Sequence, residues 1–293
     1  MDEREWLAQR FQEHRPRLRA VAYRMLGSTS EADDALQEAW IRLSRSNEGE
    51  IDNLGGWLTT VVARVALNML RSRKTRGEQP LEAHLPDPIV DRAEGIDPEH
   101  EALLADSLGL ALLVVLERLS PAERLAYVLH DMFSVPFYEI GAILERSPEA
   151  ARQLASRGRR RIRGAHTTPD ADAAAQQEVV KAFLAAARDG DFDALVAVLD
   201  PDIVLRGDWG SGTIVEVRGA ENVAHRAKAA SQLGLLVRPA LINGAAGWVS
   251  LLDGDLYAIG ALTLHNGRIT TMDILLDPAR LASLDLAYFD SRL

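Results

Sequence analysis

Apolar residues recur at spacings of three and four along the first part of the chain. Trp6, Leu7 and Phe11 are followed by Leu18, Val21, Met25 and Leu26, and then by Ala32, Ala35, Leu36, Ala39, Trp40 and Leu43. That period predicts amphipathic helices, with Gly27-Ser28-Thr29-Ser30 breaking the first pair apart. Gly55 and Gly56 precede a further helix, expected from Trp57 to about Arg73, with Trp57, Leu58, Val61, Val62, Val65 and Leu67 as its apolar side. The pattern then lapses. Pro80, Pro86, Pro88 and Pro98 lie among charged residues, so residues 79–98 read as a linker with little regular helix. Asp97-Pro98-Glu99 restarts a helix with Asp97 as its cap, and Ser120-Pro121-Ala122-Glu123 is a capping box with proline at the first helical position.

Helical periodicity continues to about Gly164, and residues 166–175 form a second linker. The rhythm then changes. A helix from Gln177 to Ala187 ends at Asp189-Gly190-Asp191, and a short one covers Phe192–Leu199. Strand-like runs follow at 203–205, 213–217, 248–252, 256–264 and 269–276, and His265-Asn266-Gly267-Arg268 joins the last two as a hairpin turn. The fold class expected is multidomain. Two all-α domains, 1–78 and 99–165, precede an α+β domain, 176–293, with a mostly antiparallel sheet. No internal repeat is visible.

Composition narrows the class. The 293 residues suffice for two or three domains, and 47% hydrophobic with 26% charged residues fits a soluble globular chain. No apolar run approaches the length of a membrane span, and MDEREWLAQR lacks the apolar core of a signal peptide. The absence of cysteine excludes disulfides, thiolate zinc sites, iron–sulfur clusters and thiol nucleophiles. A cytoplasmic protein without a cofactor and without a membrane partner is the expectation.

The net charge of −10 argues against nucleic acid until the distribution is considered. Arg64, Arg71, Arg73, Lys74 and Arg76 make one basic island, and Arg152 to Arg163 make a second, on an otherwise acidic body. Ahead of the second, Tyr138, Ile140, Ile143 and Leu144 give one helix an apolar face. Ser147 caps the next helix, Pro148 suits its first position, and Glu149 suits its positive end. That helix offers Arg152, Gln153, Ser156, Arg157, Arg159, Arg160, Arg161 and Arg163. A cap, a turn and a basic helix together read as a helix-turn-helix, since Arg and Gln can fork onto base edges and phosphates. Arg64, Asn68, Arg71, Arg73 and Lys74 form the exposed side of the earlier helix, suited to a phosphate backbone. Asp33, Asp34, Gln37, Glu38 and Arg42 line the polar side of the helix 31–43, a docking surface for a basic protein partner.

The segments Glu31–Leu43, Gly56–Arg71 and Glu117–Arg163, in that order, resemble regions two and four of an extracytoplasmic-function sigma factor of the sigma-70 family. The resemblance implies binding to RNA polymerase core and to promoter double-stranded DNA. Asp33, Asp34, Gln37 and Glu38 match the family's core-binding helix. Arg64, Asn68 and Arg71 fall in the segment that faces the minus-ten element. Many relatives have Asn at the place of Arg64 and Asp at the place of Asn68. Arg152, Gln153, Ser156 and Arg157 match the helix that reads the minus-thirty-five element, with Arg159, Arg160 and Arg161 as phosphate contacts.

The segment Phe183–Asp208 is similar to the opening of SnoaL-like domains, cone-shaped α+β barrels of the nuclear-transport-factor-two type. A subgroup of these sigma factors, including the mycobacterial sigma-J type, carries such a domain after region four. Leu85-Pro86-Asp87-Pro88, with His84 in place of Trp, resembles that subgroup's linker motif. Asp208-Trp209-Gly210-Ser211-Gly212 and Asp277-Pro278-Ala279-Arg280-Leu281 resemble two further motifs. The resemblance implies that these segments join the extra domain to the sigma domains and modulate their activity, with room for a small-molecule ligand in the C-terminal domain.

Asp208, His225, Asp253, Asp255, His265 and Asp273 are the titratable groups available to an enzyme there. None has the spacing of a dyad or metal site, and Asp253-Gly254-Asp255 and His265-Asn266-Gly267 read as turns. The expectation is a non-enzymatic initiation factor. Two other readings stand beside it: a ligand-sensing helix-turn-helix regulator that needs no polymerase core, and an isomerase or cyclase tethered to a DNA-binding region.

Overall fold

In a computed structural model, residues 3–46, 51–75, 84–93, 109–163, 173–210 and 212–284 are described. The cap expected at Asp97 and the helix start at Glu99 lie outside them. The chain folds as two compact units, with the helix Gly109–Glu117 (α4) divided between them at Val114 and Val115.

The first unit contains helices α1 (Glu3–Leu26), α2 (Thr29–Leu43) and α3 (Leu54–Thr75). It also contains α5 (Pro121–Tyr127), which continues into a wider turn at Val128–Met132, then α6 (Phe137–Leu144) and α7 (Pro148–Arg163). The apolar stripes of α1–α3 meet in a core of Leu18, Met25, Leu26, Leu43 and Leu58, with Phe11 edge-on to Trp40 at 5.3 Å. Ser28 caps α2 through the Glu31 N–H. Asn53 does the same for α3 through the Gly56 N–H, so that helix begins at Leu54 and takes in both glycines expected to precede it.

The capping box at Ser120 forms in full: the Glu123 N–H donates to Ser120 Oγ, and the Ser120 N–H donates to Glu123 Oε2 at 3.2 Å. Tyr138 departs from expectation. It is 65% exposed, and Ile140, Ile143 and Leu144 carry the buried face of α6 without it.

Helices α1–α3 and α5–α7 interlock through arginines. Buried Arg124 of α5 donates to the Met25 carbonyl at the end of α1 (2.9 Å). Burial lowers its pKa to about 10 against the opposing pull of Glu117. Arg17 donates to the Phe133 carbonyl at 2.9 Å, and Arg24 lies over the Phe133 ring at 5.0 Å.

The second unit holds strand β1 (Val90–Arg92), helices α8 (Ala173–Asp189) and α9 (Phe192–Val198), β2 (Leu199–Asp208), β3 (Ile214–Arg218) and α10 (Ala220–Ser231). Strands β4 (Leu236–Ile242), β5 (Ala245–Leu252), β6 (Asp255–His265) and β7 (Arg268–Leu275) and helix α11 (Pro278–Ser283) complete it. The seven strands form one sheet in the order β1-β4-β5-β6-β7-β2-β3. Only β2 and β7 pair in parallel; the other neighbours are antiparallel.

Register shifts in the β2–β7, β5–β6 and β6–β7 pairs bend the sheet. It curves around a core that joins Val180 and Phe183 of α8 and Val223 of α10 to Trp248, Leu262 and Met272. This is the cone-shaped α+β architecture expected. Asn266 and Gly267 hold positive φ at the β6–β7 hairpin, as that two-residue turn requires. Four elements among the described residues went unforeseen: β1 inside the linker, helices α10 and α11, and strand β4. Among the described residues no helix is long and apolar enough to cross a membrane.

Candidate functional site

The structure sorts the acidic face of α2. Asp34 and Gln37 are exposed. Glu38 pairs with Arg42 one turn on, at 2.8 Å, while keeping about half its surface open. Asp33 is held instead by α1, where Arg19 grips both its oxygens at 3.0 Å and Arg15 lies 3.6 Å away. Asp34, Gln37 and Glu38 therefore remain available to a partner, and Asp33 ties two helices together.

The basic side of α3 divides in the same way. Asn68 and Arg71 are exposed. Arg64 is also exposed, and its guanidinium donates to the Ala142 carbonyl of α6 at 3.2 Å. Arg73 was expected on the open face but is turned inward: it pairs with Glu31 and donates to the Leu26 carbonyl, with its side chain 17% exposed. A basic residue at that spacing is drawn in because α2 presents a carboxylate and the end of α1 presents a free carbonyl. The Lys74 side chain lies outside the described residues.

On α7, Ser147 accepts the Ala150 N–H, and Glu145 takes the left-handed conformation that ends α6. The Glu149 carboxyl is held below its ordinary pKa by backbone hydrogen bonding at the helix start and by Ser147. Arg152 and Gln153 are exposed on the first turns, with Arg152 over the Phe137 ring at 5.4 Å, and Ser156 is half-buried. The later arginines lean back onto α5 and the turn after it. Arg157 and Arg161 both reach Glu123, at 3.5 and 2.7 Å, and Arg159 pairs with Asp131. Arg160 points to solvent. Glu123 serves both as capping residue and as counter-ion, a second role that the capping-box motif does not announce. The Arg163 side chain is outside the described residues.

The segments singled out in the C-terminal part and the linker come together in the second unit. The Asp208 carboxylate, with no exposed surface, is the hub. It accepts the Leu85 N–H at 2.8 Å, the Arg280 guanidinium at 2.7 Å and the Gly210 N–H at 3.0 Å. The other arm of Arg280 donates to Asp87 at 2.7 Å, so one guanidinium bridges α11, β2 and the linker. His84 Nδ1 lies 3.5 Å from Asp208 Oδ1, an ionic contact only when the imidazole is protonated.

Asp277 caps α11 through the Ala279 and Arg280 N–H groups and so orients that arginine, while Pro278 takes its first position. Leu85, Pro86, Pro88 and Leu281 are buried around the hub. Gly212 lies just before β3. Farther along, the linker closes the sheet: β1 pairs with β4, Ile89 and Asn243 exchange hydrogen bonds at 3.2 and 2.8 Å, and Gln177 donates to the Ala93 carbonyl.

The remaining titratable candidates have structural partners or places. Asp273 receives a bidentate pair from Arg206, its register partner across the parallel strands, at 2.6 and 3.0 Å. His225 lies against Phe192 at 4.6 Å. Asp253, Asp255 and His265 stand at the hairpin ends, with Asp253 at positive φ. No cluster of metal-ligating side chains forms among the described residues. The C-terminal sheet and helices enclose a cavity of about 680 Å³, floored by Phe183, Leu205, Trp248 and Met272 and bordered by Trp209 and Tyr257.

Comparison with known proteins agrees with this arrangement. Sigma-70 region 2 matches residues 10–76 and Sigma-70 region 4 matches residues 109–162. The probable extracytoplasmic-function RNA polymerase sigma factor SigI of Mycobacterium tuberculosis is 34% identical over 279 residues, covering 92% of this chain and 93% of that protein. The extracytoplasmic-function sigma factor SigJ of the same organism is 39% identical over 258 residues, covering 86% of this chain and 80% of that protein. The crystal structure of SigJ superposes with a TM-score of 0.74 at 32% identity, over 94% of this chain and 98% of that one.

Proposed function

The chain belongs to the extracytoplasmic-function RNA polymerase sigma factors, and from that premise we propose how its residues divide the work of promoter selection and its control. As a member of that family it is a non-enzymatic initiation factor that binds RNA polymerase core and directs it to promoters.

Core contact falls to Asp34, Gln37 and Glu38, the carboxylates and amide that α2 leaves open. Replacing Asp34 and Glu38 with arginine reverses the sign of that face. In a pull-down with purified core, the double variant is expected to lose binding, while Asp33→Asn affects stability rather than core affinity. The minus-ten element is assigned to Asn68 and Arg71, joined by Arg64 once it leaves the Ala142 carbonyl. The minus-thirty-five element is assigned to Arg152, Gln153, Ser156 and Arg157 of α7, with Arg159 and Arg160 on phosphates.

The C-terminal domain is a built-in regulator in this reading, and the observation that carries it is the grip of Asp208 and Arg280 on Leu85 and Asp87. Two weak DNA-binding surfaces gain affinity only when their tether suits the span between the promoter elements. A domain that captures residues 84–93 of that tether sets its free length. The cavity behind Trp209 supports a small-molecule site in the same domain. Run-off transcription with purified core tests the reading: a chain ending at Ala174 is expected to bind core as before but to give an altered transcript yield. Unchanged transcription would remove the regulatory role.

A further inference from the structure

We propose that the C-terminal cavity binds an amphipathic organic anion, an apolar body with a carboxylate head, and that its occupancy tightens the hold of Asp208 on the linker. This rests on the small-molecule reading of the same cavity and specifies its ligand and its effect.

The volume, about 680 Å³, is that of sites that enclose drug-sized molecules. Its floor is apolar and aromatic, and the one deeply buried hydroxyl there, Ser250 Oγ, already donates to the Ala258 carbonyl. The mouth differs. Arg188 of α8 and Arg226 of α10 line it from exposed positions, and neither guanidinium has a hydrogen bond or ion pair among the described residues. No Asp, Glu or His is among the described residues lining the cavity, although the chain carries 43 acidic residues against 33 basic ones. Two unpaired cations at the rim of an apolar hole suit a ligand that buries hydrocarbon and leaves one anionic group at the surface. The lining offers no carboxylate or imidazole that would compete with an anionic head group for these cations.

The route to the linker is one residue long. Trp209 borders the cavity, and Asp208 beside it holds Leu85 and Arg280. The Trp209 ring lies against Gly207, where a Cβ would stand 2.3 Å from it, so the indole is folded back along β2. Leu276, which also lines the cavity, donates its N–H to the Asp208 carbonyl at 2.7 Å. A ligand packed against Trp209 and Leu276 braces the backbone on both sides of the hub. By linkage, what tightens the hub on binding is itself bound more tightly when the hub is closed.

The test uses the full chain and two probes with one hydrocarbon tail, dodecanoate and dodecanol, in calorimetric titrations. Dodecanoate is expected to bind at least about tenfold more tightly than dodecanol. Arg188→Gln with Arg226→Gln, both at exposed positions, is expected to abolish that preference while leaving dodecanol binding in place. Saturating dodecanoate is expected to slow hydrogen exchange at the Leu85 amide, which donates to Asp208, by about threefold or more. Equal binding of the two probes, or a preference that survives the double variant, overturns the anionic head group. Failure of both to bind overturns the site. Binding with unchanged exchange overturns the coupling. Core-dependent transcription without ligand reads out the sigma assignment separately, so the two can fail independently.

Discussion

Glu123 and Asp208 are two buried carboxylates built from the same parts, and they do opposite things. Each accepts a backbone N–H and an arginine. Glu123 collects Arg157 and Arg161, whose side chains stay 49% and 55% exposed, and its backbone partner is only three residues away. Asp208 collects Arg280, 20% exposed at the side chain, and of its two backbone partners Gly210 is local while Leu85 is 123 residues away. Solvent screening makes the first set of ion pairs weak and replaceable, and a DNA phosphate can take the place of the carboxylate. Burial of Asp208 makes the second set costly to break by removing one partner. In the proposed reading, an arginine-rich helix presented to DNA and a clasp that holds a tether thus differ in exposure and sequence distance, not in chemistry.

The comparison breaks most readily at Asp208. Asp208→Ala leaves the buried Leu85 N–H and one arm of the Arg280 guanidinium without their acceptor, while the other arm keeps Asp87. It is expected to cost about 3–5 kcal/mol in denaturant unfolding of the C-terminal domain. A loss below about 1 kcal/mol would put the two carboxylates in one class. Glu123→Ala comes next, at about 1–3 kcal/mol: it removes the capping box but strands only half-exposed arginines, which water resolvates. Thermal unfolding of the variant checks that value.

The smallest stability effect belongs to Arg152→Ala with Arg157→Ala, within about 1 kcal/mol of wild type. Their effect belongs to DNA instead. Removing an arginine that hydrogen-bonds a base edge is expected to weaken minus-thirty-five recognition by about 1–3 kcal/mol, measured by holoenzyme binding to promoter variants. Wild-type promoter use by that pair would remove α7 from the reading mechanism.

What the sequence disclosed follows the range of the forces involved. The capping box at Ser120, the cap at Ser147 and the Asn266–Gly267 hairpin are local, and each is legible in a few residues. The elements that escaped depend on distant partners. Strand β1 is three residues in a proline-rich linker and exists because β4 offers an edge. Strand β4 contains Pro239, a residue that argues against a strand. It sits just beyond the Arg92–Ala240 pairing, where β1 makes no demand on its missing N–H. Helix α10 starts at Gly219 without a side-chain cap and so lacks the usual start signal.

The site divides along the same line. Every arginine on α3 and α7 looks alike in one dimension. The inward turn of Arg73 to Glu31 and the pairing of Arg157 and Arg161 with Glu123 appear only once the helices are packed. The motif resemblances at Leu85–Pro88, Asp208–Gly212 and Asp277–Leu281 marked three segments, and the bond network adds what joins them: one aspartate and one two-armed arginine.

Core-dependent run-off transcription by the full chain carrying Arg280→Ala, set beside wild type, tests the regulatory clasp most directly. With hydrogen exchange at the Leu85 amide confirming that the linker has been freed, the expected result is unchanged affinity for core and a transcript yield altered by several-fold, about the range that tether length commands. A freed linker with wild-type yield would contradict the claim that the C-terminal domain controls initiation by holding it.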